Sequence, residues 1–185
     1  NELGAGVPIN WNKPYILMLQ HPVTTSYGQG FEEVTETLQA LKAIPELQKI
    51  IMWPNIDAGS DDVSKGIRHF RECNMKEPIY YYKNFTPENY ARVLKNAICC
   101  VGNSSSFIRE GSFLGVPAVL IGDRQKNREH GKNIIFSNYN SKEILEKINN
   151  IIKHGGFKSE SLFGDGKAGI KIANQITKIN LHAIK

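Results

Sequence analysis

Five small residues, Gly102-Asn103-Ser104-Ser105-Ser106, stand directly before a segment of helical spacing, Phe107 to Leu114. Hydroxyl side chains at the start of a helix leave backbone N–H groups open, and the helix dipole favours an anion there. That chemistry suits a phosphate. The plain alternative is that Asn103 and the serines only cap the helix. Glu110 sits one turn beyond the serines, beside Arg109, where a carboxylate can accept hydrogen bonds from a ribose diol. Arg124 follows the next apolar run, Ala118 to Ile121, so Ser104, Ser105, Ser106, Glu110 and Arg124 are placed to meet on one nucleotide. His21 and Asn55 open two further loops, each directly behind an apolar run. A histidine so placed is expected beside the crevice and near solvent, and a purely structural histidine is the alternative.

The elements that must position these residues follow from the apolar periodicity. Tyr15 to Gln20 reads as a strand buried on both faces, and Lys49 to Trp53, Pro78 to Tyr82, Ala97 to Val101, Ala118 to Ile121 and Asn133 to Ser137 as further strands. Helices are predicted between them. Val34, Leu38, Leu41 and Ile44 mark one over Glu32 to Ile44; Asp62 to Arg71 follows with Asp57 or Ser60 as its cap. Glu88 to Asn96 starts at Thr86-Pro87, Ser141 to Ile152 is capped by Ser141, and Ala168 to Ile179 closes the chain behind Phe163-Gly164-Asp165-Gly166. Alternating strands and helices at this spacing predict a Rossmann-like, doubly wound parallel sheet with right-handed crossovers. In such a sheet the carboxyl ends of neighbouring strands share the ligand crevice. Residues 1–12 read as a linker or arm, and Gln125 to Asn133 as a polar loop, either solvated or folded over a ligand.

The chain has 185 residues, 41% hydrophobic and 22% charged, enough for one core, and a single domain is expected over 1–185. Asn1 in the place of Met leads us to expect a fragment. No apolar run nears the roughly 20 residues of a membrane helix, so no membrane partner and a cytoplasmic location are expected. The net charge of +5 comes from Lys and Arg scattered among acids, which argues against nucleic acid as partner. Cys73, Cys99 and Cys100 lack metal-ligand spacing, so neither a metal nor another cofactor is expected and the thiols read as reduced core residues.

Six ordered stretches carry a family resemblance: HPVTT at 21–25, PNIDAGS at 54–60, KN at 83–84, VGNSSSFIRE at 101–110, GDRQ at 122–125 and FGDG at 163–166. Together they resemble the second half of the hydrolysing UDP-N-acetylglucosamine 2-epimerases of sialic-acid-type sugar synthesis. The related non-hydrolysing enzymes carry HR-x-EN and DSGG-x-QEE types where this chain has His21-Pro22-Val23-Thr24 and Asn103 to Ser106. The resemblance implies the C-terminal half of a glycosyltransferase-B-like two-domain fold, with UDP and a UDP-sugar as ligands, the N-terminal domain as partner, and a homo-oligomer at full length. It further implies a catalytic role for His21, phosphate contacts at Ser104 and Ser105, ribose contacts at Glu110 and diphosphate contacts at Arg124. Asn55 and the loop Lys83, Asn84 and Phe85 would border the cleft. The family's acidic catalytic residues belong to the other half, so this chain alone should bind nucleotide weakly and catalyse little. A donor half of a UDP-sugar glycosyltransferase, an epimerase of UDP-diacetamido-dideoxy sugars and a non-catalytic nucleotide sensor are the alternatives.

Overall fold

The computed structural model describes residues 4–6 and 8–179, with side chains from Pro8 onward. Six strands run parallel: β2 (Tyr15–Leu19), β3 (Gln48–Met52), β4 (Ile79–Tyr82), β5 (Cys99–Gly102), β6 (Ala118–Ile121) and β7 (Ile134–Ser137). They are joined by α1 (Gly30–Lys42), α2 (Ser60–Cys73), α3 (Pro87–Asn96) and α4 (Ser106–Leu114), with α5 (Ser141–His154) and α6 (Ala168–Ile176) beyond β7. A seventh strand, β1 (Gly4–Gly6), pairs antiparallel with β4. The sheet order is β1-β4-β3-β2-β5-β6-β7, so the chain winds outward in both directions from β2 and β5. The expected α/β Rossmann-like fold is therefore present. Its order reverses between β2 and β5, and there the crevice opens.

Alternation along each strand splits the core between the two faces of the sheet. Ile16, Met18, Ile51, Val101 and Val119 pack beneath α1, α2 and α5, through residues such as Leu38, Ile67 and Ile148. Leu17, Leu19, Ile50, Cys100 and Leu120 face α3 and α4, where Leu94, Phe107 and Ile108 close the other layer. Leu17 pairs in register with Ile50 on one side and Cys100 on the other. Truncating such a residue to Ala costs about 2–5 kcal/mol.

Several local expectations are corrected. Part of the expected arm at 1–12 is β1, which covers the open edge of β4. Its Gly-Ala-Gly sequence has no side-chain pattern to announce a strand, and residues 1–3, 7 and 180–185 lie outside the described residues. Neither Asp57 nor Ser60 caps α2: Gly59 takes that place at φ +88°, without a side-chain cap. Asn140 rather than Ser141 caps α5, its Oδ1 accepting from Glu143 N at 3.0 Å. The Ser141 amide instead donates to Glu36 Oε2 at 2.6 Å. Cys73 is exposed at the end of α2, whereas Cys99 and Cys100 are buried. α6 ends at Ile176 rather than Ile179 and buries none of its residues, leaving Ile170, Ile172 and Ile176 exposed. Among the described residues no helix is long and apolar enough to cross a membrane.

Candidate functional site

The carboxyl ends of β2 and β5 are pressed together by Gly102. Its φ of +135° suits glycine, and a Cβ there would collide with the Leu19 carbonyl oxygen. The chain then turns into Asn103, whose amide N donates to Leu19 O at 3.2 Å. Asn103 is fully buried, and its carboxamide brackets His21: Oδ1 accepts from His21 N at 2.7 Å, and Nδ2 donates to His21 O at 2.8 Å. Gln125, behind β6, donates from Nε2 to Asn103 O at 3.0 Å. The loops behind β2, β5 and β6 are thus tied through one asparagine.

A cleft of about 350 Å³ opens above this knot. Of the sequence-predicted residues, His21, Asn55, Asn84, Ser104, Ser105, Ser106, Glu110 and Arg124 all line it. Lys83 and Phe85 lie outside that lining, and the Phe85 ring packs against Tyr82 at 4.2 Å between centroids. The serine turn is not a simple cap. Ser105 occupies the N-cap position without a side-chain cap bond, while Ser104 Oγ accepts from Ser106 N at 3.3 Å and pairs with Ser106 Oγ at 2.8 Å. The three serines at the start of α4 thus line the cleft with two of their hydroxyls already paired to each other.

Charge and burial set the behaviour of the lining groups. Arg109, Arg124 and Arg128 outnumber Glu110 around the cleft, which favours an anionic guest. Arg124 Nη2 lies 3.7 Å from Asp57 Oδ2, so the carboxylate expected to cap a helix instead neighbours the guanidinium. His21 is 7% exposed, contrary to the expectation of a solvent-near ring, because Asn103 draws its backbone under the loops. Burial first, then the Arg124 charge, lower its pKa to about 4, with Asp57 pulling the other way. Its Nδ1 accepts from Asn55 N at 3.3 Å. Tyr90 OH bonds Ser106 Oγ, and burial raises the phenol pKa well above its usual value, keeping the group protonated.

Tyr90, Gln125 and Arg128 also line the cleft without having been named individually, although the last two belong to the polar loop Gln125 to Asn133 that was read as solvated or folded over a ligand. Gln125 follows Arg124 within the GDRQ stretch, and that adjacency was the available signal. Tyr90 had none, because it comes from the middle of α3 and reaches the site only where that helix passes the serine turn.

Fold and cleft together define a Rossmann-like domain with a cationic pocket at its switch point. Residues 5–177 match the family model described as UDP-N-acetylglucosamine 2-epimerase. The chain is 30% identical over 152 residues to the UDP-N-acetylglucosamine 2-epimerase of Neisseria meningitidis serogroup B, covering 82% of this chain and 39% of that protein. It is 27% identical to the GDP/UDP-N,N'-diacetylbacillosamine 2-epimerase (hydrolyzing) of Campylobacter jejuni, covering 80% and 38%. Among solved structures, Methanocaldococcus jannaschii UDP-GlcNAc 2-epimerase in complex with UDP-GlcNAc and UDP superposes with a TM-score of 0.71 at 17% identity, covering 90% of this chain and 47% of that one. The chain belongs to the UDP-N-acetylglucosamine 2-epimerase family. It spans less than half the length of these relatives.

Proposed function

We propose that this chain is the UDP-binding, C-terminal half of a hydrolysing UDP-N-acetylglucosamine 2-epimerase. The observation that carries the reading is the meeting of the serine turn, Glu110, Arg124 and His21 in one cationic cleft at the β2/β5 switch point. Amides and hydroxyls of Ser104, Ser105 and Ser106 hold phosphate oxygens, Arg124 adds a charge-assisted contact to the diphosphate, and Glu110 accepts from the ribose diol. Asn55 and Asn84 border the ligand, with Lys83 and Phe85 flanking Asn84. His21 serves at the departing diphosphate.

In the reaction so assigned, a base removes the proton on C2 of the sugar and the C1–O bond breaks. The electron pair leaves with UDP, and an unsaturated sugar remains. Water then adds across the double bond, so that UDP-N-acetylglucosamine and water become UDP and N-acetylmannosamine. The base comes from an N-terminal half. Coverage of under half of each relative's length, and an α6 whose isoleucines find no cover among the described residues, support such a second half. We assign the full-length protein to the cytoplasm as a homo-oligomer; the free thiols suit that compartment.

Incubating the full-length protein with UDP-N-acetylglucosamine should release UDP and N-acetylmannosamine in equal amounts. Release only from a UDP-diacetamido-dideoxy sugar would move the substrate to the class named by the Campylobacter relative. Transfer of intact sugar to an acceptor would overturn the epimerase reading in favour of a glycosyltransferase.

A further inference from the structure

We infer that Asn103 is a positioning residue for His21 and, with the Asn55 amide, presents the imidazole to the cleft as a neutral Nε2–H donor, a role that rests on the UDP-releasing reading above. Asn103 bonds both polar backbone atoms of His21, at 2.7 and 2.8 Å, and those two bonds fix which way its own carboxamide faces. Asn103 is held in turn by Leu19 O and by Gln125 Nε2, and Gln125 is only 4% exposed. His21 is thus anchored by the ends of three strands. The ring is set separately: the Asn55 N–H points at Nδ1, and a ring nitrogen that accepts a hydrogen bond carries no proton. The single proton of a neutral imidazole then sits on Nε2. Nε2 has no hydrogen-bond partner among the described residues, and His21 lines the cleft together with Ser104 and Arg124.

Two charged groups act on the ring, Arg124 behind β6 and Asp57 behind β3, and burial with Arg124 prevails, so the ring is neutral at pH 7. In this state neither nitrogen has a lone pair free for a substrate proton. Nε2–H can still donate to an oxygen that gains negative charge. When the sugar C1–O bond breaks, the electron pair moves onto the terminal phosphate oxygen of UDP, and the Nε2–H bond strengthens without the proton changing owner. The C2 proton goes to a base elsewhere. His21 therefore assists the leaving group and is not the base.

Long-range ¹H–¹⁵N correlation spectra of the histidine-labelled chain at pH 7 test the tautomer directly, with the His21 signals identified by their loss in His21→Gln. The expected pattern is a neutral ring protonated on Nε2; an Nδ1–H tautomer or a charged ring would overturn the assignment. Turnover of the full-length protein supplies the second arm. Gln keeps an N–H donor where Ala keeps none, so His21→Gln is expected to retain kcat within about tenfold while His21→Ala loses about 100-fold or more. Equal loss in both variants would overturn the donor role. Asn103→Ala should mix the His21 tautomers and lower kcat by at least about tenfold with KM nearly unchanged. If that variant does not fold, Asn103→Asp keeps the acceptor for His21 N, loses the donor to His21 O, and should lower kcat severalfold below the wild type. A folded Asn103 variant with wild-type kcat and tautomer would contradict the positioning role. Absence of UDP release from every nucleotide-sugar would instead sink the functional reading, leaving the spectra to decide the tautomer.

Discussion

Lys49 and His21 are buried bases associated with neighbouring strands at opposite ends of the sheet, and burial lowers the pKa of both. Lys49 sits near the amino end of β3, fully buried, and its Nζ donates to Ile44 O just beyond α1 at 2.6 Å, with Glu77 and Glu46 pulling its pKa back up. His21 lies past the carboxyl end of β2, tied by Asn103 and Asn55, and opens on a cleft shared with the serine turn, Glu110 and Arg124. A titration displaced by burial therefore does not mark a site on its own. Convergence with groups of complementary chemistry at an open cleft does.

The largest expected difference between the two is in turnover. In the full-length protein His21→Ala should lower kcat per folded molecule by about 100-fold or more, whereas Lys49→Met should leave it within about twofold. Folded fraction must be measured alongside, since His21→Ala strands the Asn55 N–H and should cost about 1–3 kcal/mol of stability. Comparable losses of turnover in both variants would erase the distinction.

The next contrast is with pH. The folded pKa of His21, about 4, lies below the unfolded value of 6.5, so the unfolded chain binds more protons between them. Its contribution to stability is complete above about pH 6.5 and is lost as pH falls toward 4, on the order of 2–3 kcal/mol. Urea unfolding at both pH values should show wild type losing more than His21→Gln by that amount. Lys49 works at the other end of the scale: its lowered pKa makes stability rise as pH climbs through the folded value toward 10.5, a gain that Lys49→Met should abolish.

Within the cleft, Glu110→Gln should weaken UDP binding by about 1–3 kcal/mol through lost charged hydrogen bonds to the diol, as read by calorimetry. Unchanged affinity would remove Glu110 from the ribose. The smallest effect is expected from Lys49→Met at neutral pH, within about 1 kcal/mol, because removing a buried charge offsets the carbonyl left unpaired. A large loss there would make Lys49 more than an internal tie.

The parallel strands were legible because most are short apolar runs buried on both faces, and Gly102, Gly115 and Pro117 punctuate them. The cleft was legible for a related reason: its residues stand just behind those runs, at His21, Asn55, Asn84, Ser104 to Ser106 and Arg124. β1 was hidden by a Gly-Ala-Gly sequence whose pairing depends on the backbone of β4 alone. Asp57 was misread as a cap because its pairing with Arg124 spans 67 positions. The burial of His21 was equally out of reach, since the asparagine that encloses it lies 82 residues away. Local pattern reported which strand ends bear polar groups; only the order of the sheet decides which of them meet.

Titration of the chain with UDP, followed by amide NMR, tests the cleft most directly. Shifts are expected to concentrate at residues 103–110 and at Arg124, with free N-acetylglucosamine binding far more weakly. Equal binding of the bare sugar would contradict the cleft assignment. So would UDP shifts centred on the Trp11 and Arg92 pocket of about 400 Å³ at the amino end of β2.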